Sequence, residues 1–415
     1  TNTYYDGVVD PLCKSGSNRI FRGGSWINVA ARCRSAYRGN CDPTYRYDGL
    51  GVRLVIRPVA SPPPFQSRGS GPTTESDVST IPAVSDVPTK PETLDVPTTE
   101  TVPLTSEPPK TLVNGSGMKF HLISPGRFAM GSPLTGADVL ERYPTEGQES
   151  WFEDAPKHEV TLSEPFYIAE CEVTVGEFRR FVDSTNYRTT AEEKGDAWGY
   201  GEDGVIGEIA GLSWWSPGFH QDDTHPVVCV SWNDAQKYIE WMNVQYRQEL
   251  DLQPGPGWAY SLPTEAQWEY ACRAGTTTEF FWGNDADAGN GYLNAAGQEG
   301  SPRGQSWKGG FRFMDGCLMT SPVKSFRPNP WGLYDIHGNV LEWCSDWYGD
   351  YPYDRVTDPE GPSSGSKRVI RGGGWDHDVA GCRSAFRDGD VPSYRSNDLG
   401  LRLAIRPIRE VRNPR

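Results

Sequence analysis

A chain of 415 residues exceeds what one hydrophobic core usually organises, so two or three units are expected before any motif is read. Fifteen Trp, 46 Gly and 34 Pro point to a loop-rich protein built around aromatics, with little place for long aliphatic helices. A net charge of −15 argues against nucleic acid and anionic membrane surfaces as partners, and no stretch approaches the roughly 20 apolar residues of a membrane span.

The chain opens, without an initiator Met or a leader pattern, inside a segment that returns near its other end. "FRGGSWINVAARCRSAYRGNCDPTYRYDGLGVRLVIRP" (21–58) aligns without a gap on "IRGGGWDHDVAGCRSAFRDGDVPSYRSNDLGLRLAIRP" (370–407), pairing Arg22 with Arg371, Cys33 with Cys382 and Pro58 with Pro407. The second copy follows a long patterned body, whereas the first has few residues before it. Residues 1–59 are therefore expected to be the C-terminal fragment of an upstream domain whose own start is missing. So short a piece buries little surface, and is expected to be disordered or to dock on the main domain.

Residues 60–116 are rich in Pro, Thr and Ser, carry almost no aromatics and show no period, which predicts a disordered linker. Such a stalk, with a glycosylation-type "NGS" at Asn114, suggests an exported or envelope-associated protein. The nine cysteines show no CxxC spacing, so zinc-ribbon and thioredoxin readings are weak and most read as small buried hydrophobes. Cys344 and Cys382 are the pair to test for a disulfide, although spacing cannot fix connectivity.

From residue 117 a single domain is expected to run to 409, followed by a tail, 410–415. Phe120, Leu122 and Ile123 predict a strand, and "KHEVTLSEPFYIAECEVT" alternates like a hairpin. Three short helices follow. The first has Val175, Phe178, Phe181 and Val182 on its apolar face. The second is capped by Ser231 with Asp234 three residues on, and carries the stripe Ala235, Tyr238, Ile239 and Met242. The third has the capping pair Thr264 and Gln267, turns Trp268 and Ala271 inward, and stops at Gly275. Beyond Gly275 the density of Gly, Asn and Asp permits two readings: surface loops, which composition favours, or oxygen ligands folded around hard cations, with Asp315, Asp335 and Glu342 as the carboxylates placed for it.

"FAMGSP", "ECEVTVGEF", "PVVCVSWNDAQKYIEW", "SLPTEAQWEYACRAG", "NPWGLYDIHGNVLEWCSDWY", "RVIRGGGW", "CRSAFR" and "LGLRLAIRP" occur in an order that resembles the sulfatase-modifying-factor family, whose namesake is the formylglycine-generating enzyme. The resemblance implies an α+β fold with a C-type-lectin-like core, little regular secondary structure, a small antiparallel sheet and few short helices. It also implies two structural calcium sites. One would use Asn294 and Asp315 with backbone oxygens of Ala295 and Cys317, across a longer spacing than the family's. The other would use Asp335 and Glu342 with the carbonyls of Gly338 and Val340, and "DIHGNVLE" keeps its spacing.

The family oxidase, by the same resemblance, oxidises a substrate cysteine with O₂ through two active-site cysteines just after the "GGS" turn, a pair suited to Cu(I). Here "GGGWDHDVAGCRSAFR" supplies no cysteine before Cys382. His377 beside Cys382 is the nearest thing to a catalytic pair, and it is weak, because the first copy has Asn28 where His377 stands. Two functions stay open. The first is a binding or accessory module for a protein, peptide or small polar ligand, with Trp375, Asp376, His377, Tyr394 and Arg395 at its rim. The second is an oxidase of protein cysteine with altered metal ligation, for which copper is the cofactor implied.

Overall fold

Helices begin where the sequence supplies reciprocal caps. Ser231 accepts from the Asp234 N–H while the Asp234 carboxylate accepts from the Ser231 N–H, which starts Trp232–Gln245; Thr264 and Gln267 do the same for Glu265–Arg273. Ala235, Tyr238, Ile239 and Met242 are buried as their spacing predicts, and so are Trp268 and Ala271. The third helix ends on Ala274, which takes the left-handed conformation (φ +46°) one residue before Gly275. The helix Val175–Thr185 buries Val175, Phe178 and Phe181 and carries a capping box of its own, Thr174 with Glu177.

The computed structural model describes the strands Arg19–Arg22 and Arg38–Cys41 and residues 109–408, apart from 146, 154, 155, 201–204 and 303. The chain divides into two units, Thr1–Pro97 and Thr98–Arg415. Most of the segment 1–59, the expected linker up to residue 108 and the tail 410–415 lie outside the described residues. The linker reading extended too far. Thr111–Val113 is a strand, and Asn114 is tied into the following turn, its side-chain oxygen accepting from the N–H groups of Ser116 and Met118.

Within the second unit the described strands form four small sheets in an α+β arrangement, where one sheet was expected. Five antiparallel strands run in the order Trp258–Ser261, Ala404–Pro407, Phe166–Ala169, Lys119–Ile123 and Thr111–Val113. A second sheet orders Asp388–Asp390, Arg368–Arg371, Leu341–Trp347 and Leu399–Leu401, the last two parallel. Between these elements lies an aromatic-rich core that includes Phe120, Tyr167, Phe178, Tyr238 and Trp343.

The repeat has a structural counterpart. In the second copy Arg368 pairs with Asp390 and Ile370 with Asp388; in the first, Arg19 pairs with Cys41 and Phe21 with Gly39, the same antiparallel register at the aligned positions. Of the arginines that both copies share, Arg371, Arg383, Arg387 and Arg402 are buried in the second. Arg371 meets Glu269, Arg387 meets Glu265 with Nε and Nη2 each 2.8 Å from a carboxylate oxygen, and Arg402 meets Glu342. A buried guanidinium is tolerable only when paired. The repeated segment carries the arginines, while the carboxylates they meet come from upstream, on Glu265–Arg273 and Leu341–Trp347.

Candidate functional site: an acidic and aromatic cavity without a thiol pair

The turn after Arg368–Arg371 is built from three glycines. A Cβ on Gly373 (φ +76°) would stand 2.7 Å from the Cys382 sulfur and 3.0 Å from the Gly381 oxygen, so the backbone can lie against Cys382 only at a glycine. Trp375 pins the turn from below. Its N–H donates to the Asn339 carbonyl at 2.9 Å, its indole Nε1 points to the Asn397 carbonyl at 3.3 Å, and the rings of Tyr200 and Phe219 cover it.

Asp376, His377 and Asp378 thereby reach a cavity of about 700 Å³ walled by Trp151, Phe152, Tyr200, Trp307, Tyr348 and Phe386. Of the five residues expected at a ligand rim, this cavity has Asp376 and His377. Trp375 is a correction, being 2% exposed beneath the turn. Arg395 is another, because its guanidinium is bonded to the carboxylate and carbonyl of Asp196. Tyr394 packs against the main core and is not among the cavity residues.

His377 Nδ1 lies 3.3 Å from Asp376 Oδ1 and 4.0 Å from Asp398 Oδ2. Burial opposes a charged imidazolium here, but the hydrogen bond and charge of Asp376, with Asp398 and Asp378 nearby, outweigh it and hold the His377 pKa up at about 9. Burial and the charge of Asp376 push Asp398 up to about 6.

Cys382 does not face this cavity. It is fully buried with Phe280, Leu293, Phe311 and Val379, its sulfur 3.7 Å from the His377 carbonyl oxygen. Burial, reinforced by the charge of Asp378, pushes its thiol well above the ordinary range. His377 and Cys382 are thus joined through a backbone carbonyl, and the imidazole is not the sulfur's partner. Nor is Cys382 bonded to Cys344. Both are free thiols, and Cys344 sits in a separate cluster with Trp268, Ile336 and Val369. Among the described residues no cysteine lines the cavity.

The loops expected to hold calcium do converge. Asp315 accepts from the N–H groups of Ala295 (2.9 Å) and Cys317 (2.8 Å), and Asn294 Oδ1 is buried without a hydrogen-bond partner. Burial pushes Asp315 up to about 6. Glu299, which the sequence reading missed, accepts from the Gly316 N–H with one oxygen and leaves Oε2 buried and unpartnered.

In the second loop Gly338 (φ +75°) packs against Asn294, a Cβ there standing 2.2 Å from the Asn294 oxygen, and the Asn339 N–H donates to that oxygen at 2.6 Å. Asp335 accepts from the Lys324 N–H and leaves Oδ1 buried and without a hydrogen bond; Val340, next to Asn339, is also buried. Glu342 is committed elsewhere. Its Oε1 accepts from Arg402 Nη2 at 2.7 Å and its Oε2 from the Trp268 indole at 2.8 Å. The carboxyl left without a hydrogen bond is instead that of Glu172, whose Oε2 lies 3.9 Å from Arg402 Nη2 and whose pKa is pushed well above the carboxylate range by burial and then by Asp335. Glu172 gave no sequence signal beyond one acidic residue in an alternating strand pattern.

Comparison with known proteins places this geometry. The sulfatase-modifying factor enzyme 1-like domain matches residues 1–58 and 105–407. The chain belongs to that family. It is 36% identical over 309 residues to the formylglycine-generating enzyme of Streptomyces coelicolor, covering 67% of this chain and 86% of that protein. It is 30% identical over 326 residues to the inactive C-alpha-formylglycine-generating enzyme 2 of Bos taurus, covering 71% and 90%. Among solved structures, PvdO from Pseudomonas aeruginosa superposes with a TM-score of 0.52 at 26% identity, over 72% of this chain and 99% of that one. The family fold is therefore the fold of this chain, and its relatives include both a protein named as a formylglycine-generating enzyme and one named as inactive.

Proposed function

We propose that this chain is a binding or accessory member of the sulfatase-modifying-factor family, with the 700 Å³ cavity as its ligand site and a protein segment, peptide or small polar molecule as its ligand. One observation carries the reading: the cavity has Asp376 and His377 on its wall, and Cys382 is buried behind it. Thiol oxidation through Cu(I) needs accessible thiolates, and a buried thiol with a raised pKa supplies none.

Structural calcium fits the two converging loops on charge grounds. Glu172, Asp335 and Glu342 are three buried carboxylates, and Arg402 is the guanidinium among them. The oxygens without hydrogen bonds on Asp335 and, from the segment after Phe166–Ala169, on Glu172 at one site, and on Asn294 and Glu299 at the other, are the hard donors that Ca²⁺ takes. Bound there, the cation would supply charge balance and hold the loops together. In this reading Glu172 takes the place that sequence spacing gave to Glu342.

Competition for Cu(I) against a colorimetric chelator tests the proposal. The expected result is that the reduced protein withdraws no stoichiometric Cu(I) from the chelator. Tight one-to-one binding lost in Cys382→Ala would favour the oxidase.

A further inference from the structure

Asp376, His377 and Asp398 each bring one ligand atom, a carboxylate oxygen or an imidazole nitrogen, within 4.8 Å of one another. The imidazole nitrogen is 3.3 Å from one carboxylate oxygen and 4.0 Å from the other. Ligands about 2.0–2.2 Å from a shared cation stand roughly 3–3.5 Å apart, so small side-chain adjustments bring this triad to a binding geometry. We infer that Asp376, His377 and Asp398 form a site for one divalent transition-metal cation of borderline hardness, in the series from Mn²⁺ to Zn²⁺, beside the aromatic cavity.

The fold holds the triad in place from three directions. Asp398 has its Oδ1 bonded by the Ser396 hydroxyl, which leaves Oδ2 for the site, and its carbonyl accepts from the Leu341 N–H at 2.8 Å. The His377 N–H donates to Gly374 at 3.0 Å, and the His377 carbonyl accepts from Ala296 at 2.9 Å. A Cβ at Gly374 would stand 3.4 Å from both Asp376 Oδ1 and Asp398 Cβ, an ordinary contact distance, so the turn backbone lies directly against both carboxylate residues.

Charge favours a dication. A protonated His377 balances one of the two carboxylates, whereas a dication balances both and leaves the imidazole neutral, the form that ligates. The neighbouring groups do not compete. Asp378 is committed to the Thr145 hydroxyl and the Gly381 N–H, and Arg387 on the cavity wall is committed to Glu265. One nitrogen and two oxygens suit Mn²⁺, Fe²⁺ or Zn²⁺ and do not suit Cu(I), which prefers sulfur.

Asp376 and His377 line the cavity, so coordination positions not used by protein would face it. A ligand with oxygen donors, such as a carboxylate, could complete the shell. The inference rests on the cavity being the working site, but cation binding is read without any ligand, so failure here leaves the Cu(I) result and the binding-module reading standing.

The test uses the full chain without a histidine tag, stripped with chelator and returned to saturating Ca²⁺ so that the calcium loops do not compete. Equilibrium dialysis with Zn²⁺ and separately with Mn²⁺ should give one equivalent per chain. His377→Gln and Asp398→Asn should each weaken binding by at least about tenfold, whereas Asp335→Asn should not. If Asp398→Asn does not fold, selective broadening of the His377 ring resonances by Mn²⁺ in the unsubstituted protein serves instead. No saturable binding, or binding that both substitutions leave intact, would overturn the site.

Discussion

Glu342 and Arg402 form a buried ion pair, with Oε1 2.7 Å from Nη2 and 2.9 Å from Nε. Breaking such a pair leaves an uncompensated charge inside the protein, so Glu342→Gln should cost about 3–5 kcal/mol in calcium and in chelator alike. Asp335→Asn should behave differently. Burial raises the Asp335 pKa to about 6, so without a cation its ionised form opposes folding at neutral pH. The substitution should leave stability in chelator unchanged or higher and should abolish the gain from calcium. Denaturant melts of both variants with and without calcium check this; a Glu342→Gln protein that loses only its calcium response would return Glu342 to the ligand set.

Gly338 joins the two loops proposed to hold calcium by backbone contact with Asn294. An alanine there meets a carbonyl oxygen and also takes an unfavourable left-handed φ, so Gly338→Ala should destabilise by about 2–4 kcal/mol. Thermal melts should show the loss, and the calcium response should fall with it. A variant that melts like the parent would mean that the loops are not locked together.

Asp346 should give the chain an alkaline-side penalty. Burial, then the charge of Glu265, pushes its pKa up to about 7. A carboxyl whose folded pKa lies above its unfolded value of about 3.9 favours folding fully below that value, and the contribution is lost as pH rises through about 7. Asp346→Asn should therefore be more stable than the parent at pH 8 by about 1–3 kcal/mol, a gap that closes toward pH 4. Urea melts across that range decide it, and a gap that does not depend on pH would contradict the assignment.

The buried setting of Cys382 predicts that alkylation by iodoacetamide in native buffer is no faster than global unfolding, while among the described cysteines the half-buried Cys317 reacts before it. Mass spectrometry of timed samples reads the order. Rapid modification of Cys382 would show that the thiol reaches solvent.

What the sequence made legible was local. Ser231 with Asp234, and Thr264 with Gln267, are three residues apart, so their caps and the stripes behind them could be read directly. The ordered family motifs made the fold legible as a whole, and the comparisons agree with it. The losses came where distant segments meet. Glu342 looked available because Arg402 lies sixty positions on in the chain. Trp375 looked like a rim residue because nothing nearby in sequence announces that Tyr200 and Phe219 cover it. Arg395 is held by Asp196 from the hairpin strand Asp196–Tyr200. Thr111–Val113 was absorbed into the linker because a three-residue edge strand beside a Pro-rich stretch shows no period.

The measurement that bears most directly on the central claim is aldehyde formation on a sulfatase-type peptide containing CxPxR, with the protein reduced, loaded with Cu(I) and supplied with O₂. The account predicts no turnover above the protein-free control, in the parent and in Cys382→Ala alike, because Cys382 is sealed in its apolar cluster and no thiol among the described residues lines the cavity. Sustained turnover that Cys382→Ala abolishes would contradict it.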